Sequence, residues 1–328
     1  MAFQPSIRSA LLLVCSVAAA SGGGSAEADR PRVRTRQGNV VADDGTRLRG
    51  TAFFLDLFDT EDFRAHREEY RETFRKVSRD YHLNCVRICP WIGTWDYDVG
   101  GNRHHRESFV DMVDAVVDWC GEDDIHAVVN LHTKFGTEVD PAKAKAFWDV
   151  FAPRYADRTH VAYELINEPE ESSSLANMAE LYRHVRGIAP DTHLILFSPN
   201  NASKITLDEL KAASVGIDYA NASFGWHCYE WYADKPVEWR HAFALRRAGV
   251  PVICTEFFSL DRADNMPIDW EHLIGNIRFA EKGKFSWMQW GPFAQRRNTN
   301  KPGWDEAAVG FRERYREEIE RAGVAWWE

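Results

Sequence analysis

From residue 48 onward the chain repeats one alternation eight times, a short and nearly continuous apolar run followed by a segment of helical periodicity. The apolar runs lie at 48–55, 84–90, 126–131, 161–166, 193–197, 222–227, 250–255 and 285–290. The helical segments lie at 61–80, 106–120, 141–156, 174–188, 206–213, 236–248, 268–281 and 305–321. Strands that are apolar on both faces belong to a parallel sheet covered by helices. Eight such units in roughly 300 residues is the length of a (β/α)8 barrel. A doubly wound open sheet is the rival, but it has fewer strands and a glycine-rich first turn. Here the first run ends in Phe53-Phe54-Leu55-Asp56 without GxGxxG, and no linker or composition shift follows residue 50. The expected architecture is therefore α/β, a single (β/α)8 TIM barrel over residues 29–328.

Before the first run, residues 39–48 read as two strand-like arms around Asp44-Gly45, a hairpin expected to plug the bottom of the barrel. Residues 1–28 differ from everything after them. Arg8 gives a positive start, Ala10 to Ala20 is apolar, and Ser21-Gly22-Gly23-Gly24-Ser25 follows. That is the pattern of a secretory signal, and no later segment approaches the roughly 20 apolar residues that span a bilayer. The mature chain is expected to be secreted, extracellular or periplasmic, and monomeric. Its remaining cysteines (Cys85, Cys89, Cys120, Cys228 and Cys254) are odd in number and lack zinc spacing, so buried free thiols are expected. With 50 acidic against 40 basic residues the net charge is −10, which excludes the basic stripe of a nucleic-acid binder. The 13 Trp leave aromatic surface to spare for stacking on flat ligands.

In a barrel of this kind the C-terminal ends of all strands open onto one face, so residues there converge regardless of their separation in sequence. Read in order, those ends carry Arg87, His132, Asn167 with Glu168, His227 with Tyr229, Glu256, and Trp290. Strand alternation places His227 and Tyr229 on one face with Cys228 turned away, Cys254 with Glu256, and Met288 with Trp290, while Trp287 points into the helix layer. Each residue alone has a blander reading: a strand-end His is more often a satisfied core residue, a Trp is packing, and Arg87 pairs a buried carboxylate such as Glu164. The blander readings do not account for polar or aromatic residues at six of eight apolar strand ends, because burying so many polar groups is costly unless a site uses them. Two carboxylates on separate strand ends are what glycosidic bond cleavage requires.

The Glu164-Leu165-Ile166-Asn167-Glu168-Pro169 strand, His227-x-Tyr229, the strand ending in Glu256 and Trp287-Met288-Gln289-Trp290 resemble family 5 of the glycoside hydrolases, the cellulase family of the retaining (β/α)8 clan. The resemblance runs from the hairpin to the last helix. It implies that Glu168 is the general acid/base and Glu256 the nucleophile. It further implies that Asn167 binds the sugar 2-hydroxyl, Tyr229 and Arg87 hold Glu256, His132 and His227 line the site, and Trp290 lies beneath the sugar. Glu256 must then be ionised and Glu168 must begin protonated, in a double displacement through a glycosyl-enzyme intermediate.

Aromatic residues in the loops after the strands are candidate sugar subsites, chiefly Trp91, Trp95, Trp231 and Phe293, with Tyr97, Phe135, Tyr232 and Trp304 beside them. No metal or other cofactor is expected, since the adjacent His104 and His105 point apart. The expected substrate is a β-linked polysaccharide or oligosaccharide, first a β-1,4-glucan cut internally, second a β-mannan, with transglycosylation as a variant outcome. From other classes, a metal-dependent amidohydrolase lacks its His-x-His on the first strand, and an inactive carbohydrate-binding barrel has no need of both glutamates. No attached carbohydrate-binding module is expected after the last helix, and soluble or oligomeric substrate is expected accordingly.

Overall fold

The computed structural model of the protein describes residues 30–55, 60–79, 81–90, 103–134, 136–197, 205–228, 237–257, 270–290 and 317. An antiparallel pair, β1 (Val33–Arg36) and β2 (Asn39–Ala42), precedes eight strands that close on themselves. These are β3 (Arg49–Leu55), β4 (Cys85–Pro90), β5 (His126–Asn130), β6 (Val161–Glu164), β7 (His193–Ile195), β8 (Ala222–Cys228), β9 (Val252–Phe257) and β10 (Trp287–Gln289). Each pairs in parallel with the next, and β10 returns to β3. Between them run α1 (Thr60–Ala65), α2 (Arg67–Arg79), α3 (Arg103–Glu122), α4 (Pro141–Tyr155), α5 (Glu171–Ile188), α6 (Leu207–Ala213), α7 (Val237–Arg247) and α8 (Trp270–Gly283). The result is a closed eight-stranded parallel barrel with helices between its strands, as the alternation predicts. The segment read as one helix over 61–80 is two, broken at His66. The leader and the last helix expected at 305–321 lie outside the described residues, apart from helical Glu317.

The helices form where local chemistry starts them and an apolar stripe holds them. In α4, Asp140 caps the N-terminus by accepting from the backbone N–H of Ala142 and Lys143, with Pro141 in the first turn. Its buried face, Ala144, Phe147, Trp148, Phe151, Ala152 and Tyr155, follows the helical period. In α6, Thr206 and Glu209 form a capping box. Burial divides into two layers. A large one between barrel and helices takes the outward strand residues such as Val86, Ile88, Val129, Tyr163 and Trp287. A small one inside the barrel stacks Leu48, Cys85, Val128, Ala162, Ile195, Ile253 and Met288 against Val33 and Val40 of the antiparallel pair. The five described cysteines are buried thiols.

The antiparallel pair sits one arm earlier than the sequence suggests. Gln37 and Gly38, both at positive φ, make the two-residue turn between β1 and β2. The Asp44-Gly45 turn also forms, with the Thr46 N–H donating to Asp44 Oδ1 and the Ala42 N–H to Thr46 O, each at 2.8 Å, but the pairing of Val41 with Arg47 across it is an isolated bridge and not a strand. The arm beyond it leads directly into β3, whose backbone is committed to its parallel neighbours in the barrel.

Candidate active site

Arg87, buried in the barrel, is the hub of the site. It projects inward from β4, on the face shared by Cys85 and Cys89, while Val86 and Ile88 face the helices. Its Nε and Nη2 donate to the two oxygens of Glu164 at 2.5 and 3.1 Å, Nη1 donates to Glu256 Oε2 at 2.6 Å, and Nη2 also donates to Asn167 Oδ1 at 2.7 Å. Burial opposes the charge of both partners, but the Arg87 guanidinium and the nearby His227 hold the Glu164 carboxyl down to about 2.

Asn167 and Glu168 follow β6. The Asn167 backbone N–H donates to Leu131 O at 2.8 Å, its side-chain Nδ2 donates to Thr133 O at 3.0 Å, and the Thr133 hydroxyl donates to Asn167 O. Glu168 is in the left-handed region, φ +37°, where a non-glycine residue is uncommon. A hydrogen bond from Gly136 N to Glu168 O at 2.8 Å and a bridge between Thr137 and Pro169 hold it there. Local strain of this kind persists where surrounding structure over-determines it, and it clusters at functional sites.

His227 on β8 joins the two glutamates. Its Nδ1 is 2.7 Å from Glu168 Oε1 and 3.9 Å from Glu256 Oε2, and its Nε2 is 3.1 Å from the Thr255 hydroxyl. Burial disfavours the imidazolium, yet the carboxyl groups of Glu256, Glu164 and Glu168 outweigh it and raise the group to about 9. Burial also pushes the Glu256 carboxyl up, with Glu168 acting in the same direction, against the pull of His227 and Arg87. One oxygen of Glu168, one of Glu256 and a ring nitrogen of His227 lie within 4.8 Å of one another. Three such donors are of a kind that take a divalent ion. Arg87 donates to Glu256 Oε2, and the carboxyl groups around His227 favour its imidazolium, so the cluster already carries positive charge.

His132 lies across the barrel mouth, its ring stacked on Trp290 with centroids 5.3 Å apart and planes 6° from parallel. Asn130 Oδ1 accepts from His132 Nδ1 at 3.0 Å, which fixes the tautomer. Burial, with Arg87 nearby, holds His132 well below the usual imidazole range, so it is neutral.

The structure therefore brings together Arg87, His132, Asn167, Glu168, His227, Glu256 and Trp290. Tyr229 and the aromatics Trp91, Trp95, Tyr97, Phe135, Trp231, Tyr232, Phe293 and Trp304 lie outside the described residues. As expected, Cys228 and Trp287 turn to the helix layer and Met288 faces the barrel interior. One expectation fails: Cys254 and Glu256 do not share a face. The β8–β9 register shifts between Trp226 and His227, which oppose Cys254 and Glu256, so Thr255 is an extra residue on β9. That bulge lets Thr255 and Glu256 both reach the interior, while Cys254 packs outward. Thr255 and Asn130 were not singled out by the sequence. The signal available for Thr255 was its polarity within an apolar run; for Asn130 it was its position two residues before His132.

The model of the cellulase family, glycosyl hydrolase family 5, matches residues 47–292. The chain belongs to this family. Curated family relatives include endoglucanase A of Butyrivibrio fibrisolvens, 22% identical over 58% of this chain and 44% of that protein. Endoglucanase E-5 of Thermobifida fusca is 24% identical over 65% of this chain and 46% of that protein. The chain thus spans about half the length of these relatives. Among solved structures, a β-glucanase of Saccharophagus degradans in complex with cellotetraose shares the fold with a TM-score of 0.66, at 17% identity over 90% of this chain and 94% of that one.

Proposed function

We propose that the protein is a retaining glycoside hydrolase that cleaves β-linked glucan internally, with Glu256 as nucleophile and Glu168 as acid/base. The observation that carries this reading is the approach of the two carboxyl groups, with oxygens within 4.8 Å. A retaining pair needs a separation of roughly 5 Å, so that one carboxylate attacks the anomeric carbon while the other reaches the leaving oxygen; an inverting pair stands further apart to admit water. Arg87 donates to Glu256 and pulls it toward the ionised role against the burial that raises it, and Asn167, anchored by Arg87 and the Thr133 carbonyl, is the residue assigned to bind a 2-hydroxyl. Trp290, partly exposed and stacked on His132, offers a flat platform for a pyranose ring. A β-1,4-glucan is the first substrate to try, because the relatives are endoglucanases and a related structure holds cellotetraose. Residues 1–28 are proposed to export the enzyme.

Attack by Glu256 forms a glycosyl-enzyme as Glu168 protonates the departing oxygen; Glu168 then takes a proton from the water that releases the sugar. Glu256→Gln is expected to lose nearly all turnover. Glu168→Ala is expected to show a defect that shrinks on aryl glycosides with good leaving groups. Reducing-end assays on a polysaccharide panel identify the substrate, and NMR of the first-formed product reads the anomer. Wild-type turnover in Glu256→Gln, or inversion at the anomeric carbon, would overturn the reading.

A further inference from the structure

The interior of the barrel holds a chain of polar contacts that runs from Arg87 through Glu164 and Thr255 to His227 and ends at Glu168. Thr255 is its least obvious link. Its hydroxyl donates to Glu164 Oε1 at 2.9 Å, and the same oxygen lies 3.1 Å from His227 Nε2. A hydroxyl has one proton to give. Glu164, gripped by Arg87 through both oxygens, is an acceptor only, so the Thr255 proton points to Glu164 and its lone pair faces Nε2. Nε2 must therefore carry a proton. Among the described residues, His227 is faced by Glu164 and Glu168 from β6 and the turn after it and by Glu256 from β9, with Arg87 on β4 and neutral His132 after β5 nearby. Glu164, 3.9 Å from Nε2, and Glu256, 3.9 Å from Nδ1, favour the imidazolium, so Nδ1 carries a proton as well and donates to Glu168 Oε1 at 2.7 Å.

We propose that Thr255 is a positioning residue that keeps His227 protonated on Nε2 and so holds Glu168 Oε1 as an acceptor, confining the proton exchanged in catalysis to Glu168 Oε2. This rests on the acid/base reading of Glu168. In the first step the O–H bond at Oε2 breaks and its proton goes to the leaving oxygen, which also takes the electron pair of the broken glycosidic bond as Glu256 bonds to the anomeric carbon. In the second, Oε2 takes the proton of the attacking water, whose oxygen replaces Glu256 on the carbon. His227 and Thr255 exchange no proton with substrate; they fix which oxygen does.

Thr255→Val removes the hydroxyl at nearly constant shape. The expected result is a kcat loss of roughly tenfold on aryl β-glycosides with poor leaving groups, the order of one hydrogen bond, and of less than about twofold on dinitrophenyl glycosides. Without the Thr255 acceptor the Nε2 proton of His227 is lost more readily, so an alkaline limb of kcat/KM set by His227 is expected to move to lower pH, and Thr255→Ser to restore both. Nitrogen-15 NMR of His227 in the wild type is expected to find both ring nitrogens protonated at pH 7. An unprotonated Nε2, or a Thr255→Val loss equal on all leaving groups with the limb unmoved, would overturn the proposal. Glu168→Ala is the control. If it lacks leaving-group dependence, the acid/base reading itself falls; if it shows that dependence and Thr255→Val does not, only the role of Thr255 falls.

Discussion

Three carboxyl groups sit close together inside this barrel, and single side chains make that tolerable. Glu164, Glu168 and Glu256 would repel one another in a desolvated space, where a buried carboxylate without a partner costs several kcal/mol. Arg87 contacts the first and third, and His227 lies against the second. This makes the imidazolium of His227 a stability term with a pH window. Its folded-state value is raised to about 9 from an ordinary 6.5, so its contribution is fully present below pH 6.5 and lost as pH rises through about 9. Urea midpoints measured from pH 6 to pH 10 are expected to fall over that interval, and in His227→Asn the same interval is expected to be flatter; an equal decline in both proteins would place the titrating group elsewhere. At this scale the sequence was informative because strand ends are where side chains can be read singly. The need for a carboxylate beside Arg87 was visible, with Glu164 as its candidate. The simultaneous grip on Glu256 and Asn167 was not, because it depends on closure of the ring of strands.

Among the elements, the strands were legible and their offsets were not. Apolar runs covered on both faces name a parallel strand, since no half-exposed sheet reads that way. Alternation then picks the inward residues correctly in β4, where Cys85, Arg87 and Cys89 share a face. It fails in β9, because a bulge adds a residue without leaving a hydrophobic signature, and Thr255 is drawn into the site. The antiparallel pair was misplaced for a similar reason: two turn signals lie close together, and only tertiary pairing decides which one joins two strands. Close strand approach also sets a limit that composition hides. At Gly50 on β3, an added Cβ would stand 2.5 Å from the Cys85 carbonyl oxygen and 2.9 Å from Met288 Cγ. The methionine can shift, but the β4 backbone cannot without spoiling the β3–β4 ladder below Arg87. Gly50→Ala is therefore expected to cost roughly 3 kcal/mol, seen as a lower urea midpoint, and to reduce kcat because Arg87 moves with its strand. A neutral outcome would mean that the two strands separate more readily than the ladder implies.

For the whole molecule, the barrel separates what holds it together from what it does. The polar cluster occupies the C-terminal ends of the strands, and the opposite end is closed by an apolar layer in which Val33 and Val40 meet residues from β4, β5, β6, β7, β9 and β10. In this architecture chemistry belongs to the first end and stability to the second. Val40→Ala tests that division. It removes two methyl groups from a fully buried position and leaves a cavity, at an expected cost of about 2 kcal/mol. Because Val40 packs in the apolar layer with Leu48, Cys85 and Met288, kcat and KM of the folded protein are expected to stay within error of the wild type while the denaturation midpoint falls. If activity under native conditions falls with stability, the lower layer must set the spacing of Glu168 and Glu256 through the strands it joins, and the two ends of the barrel would be mechanically coupled.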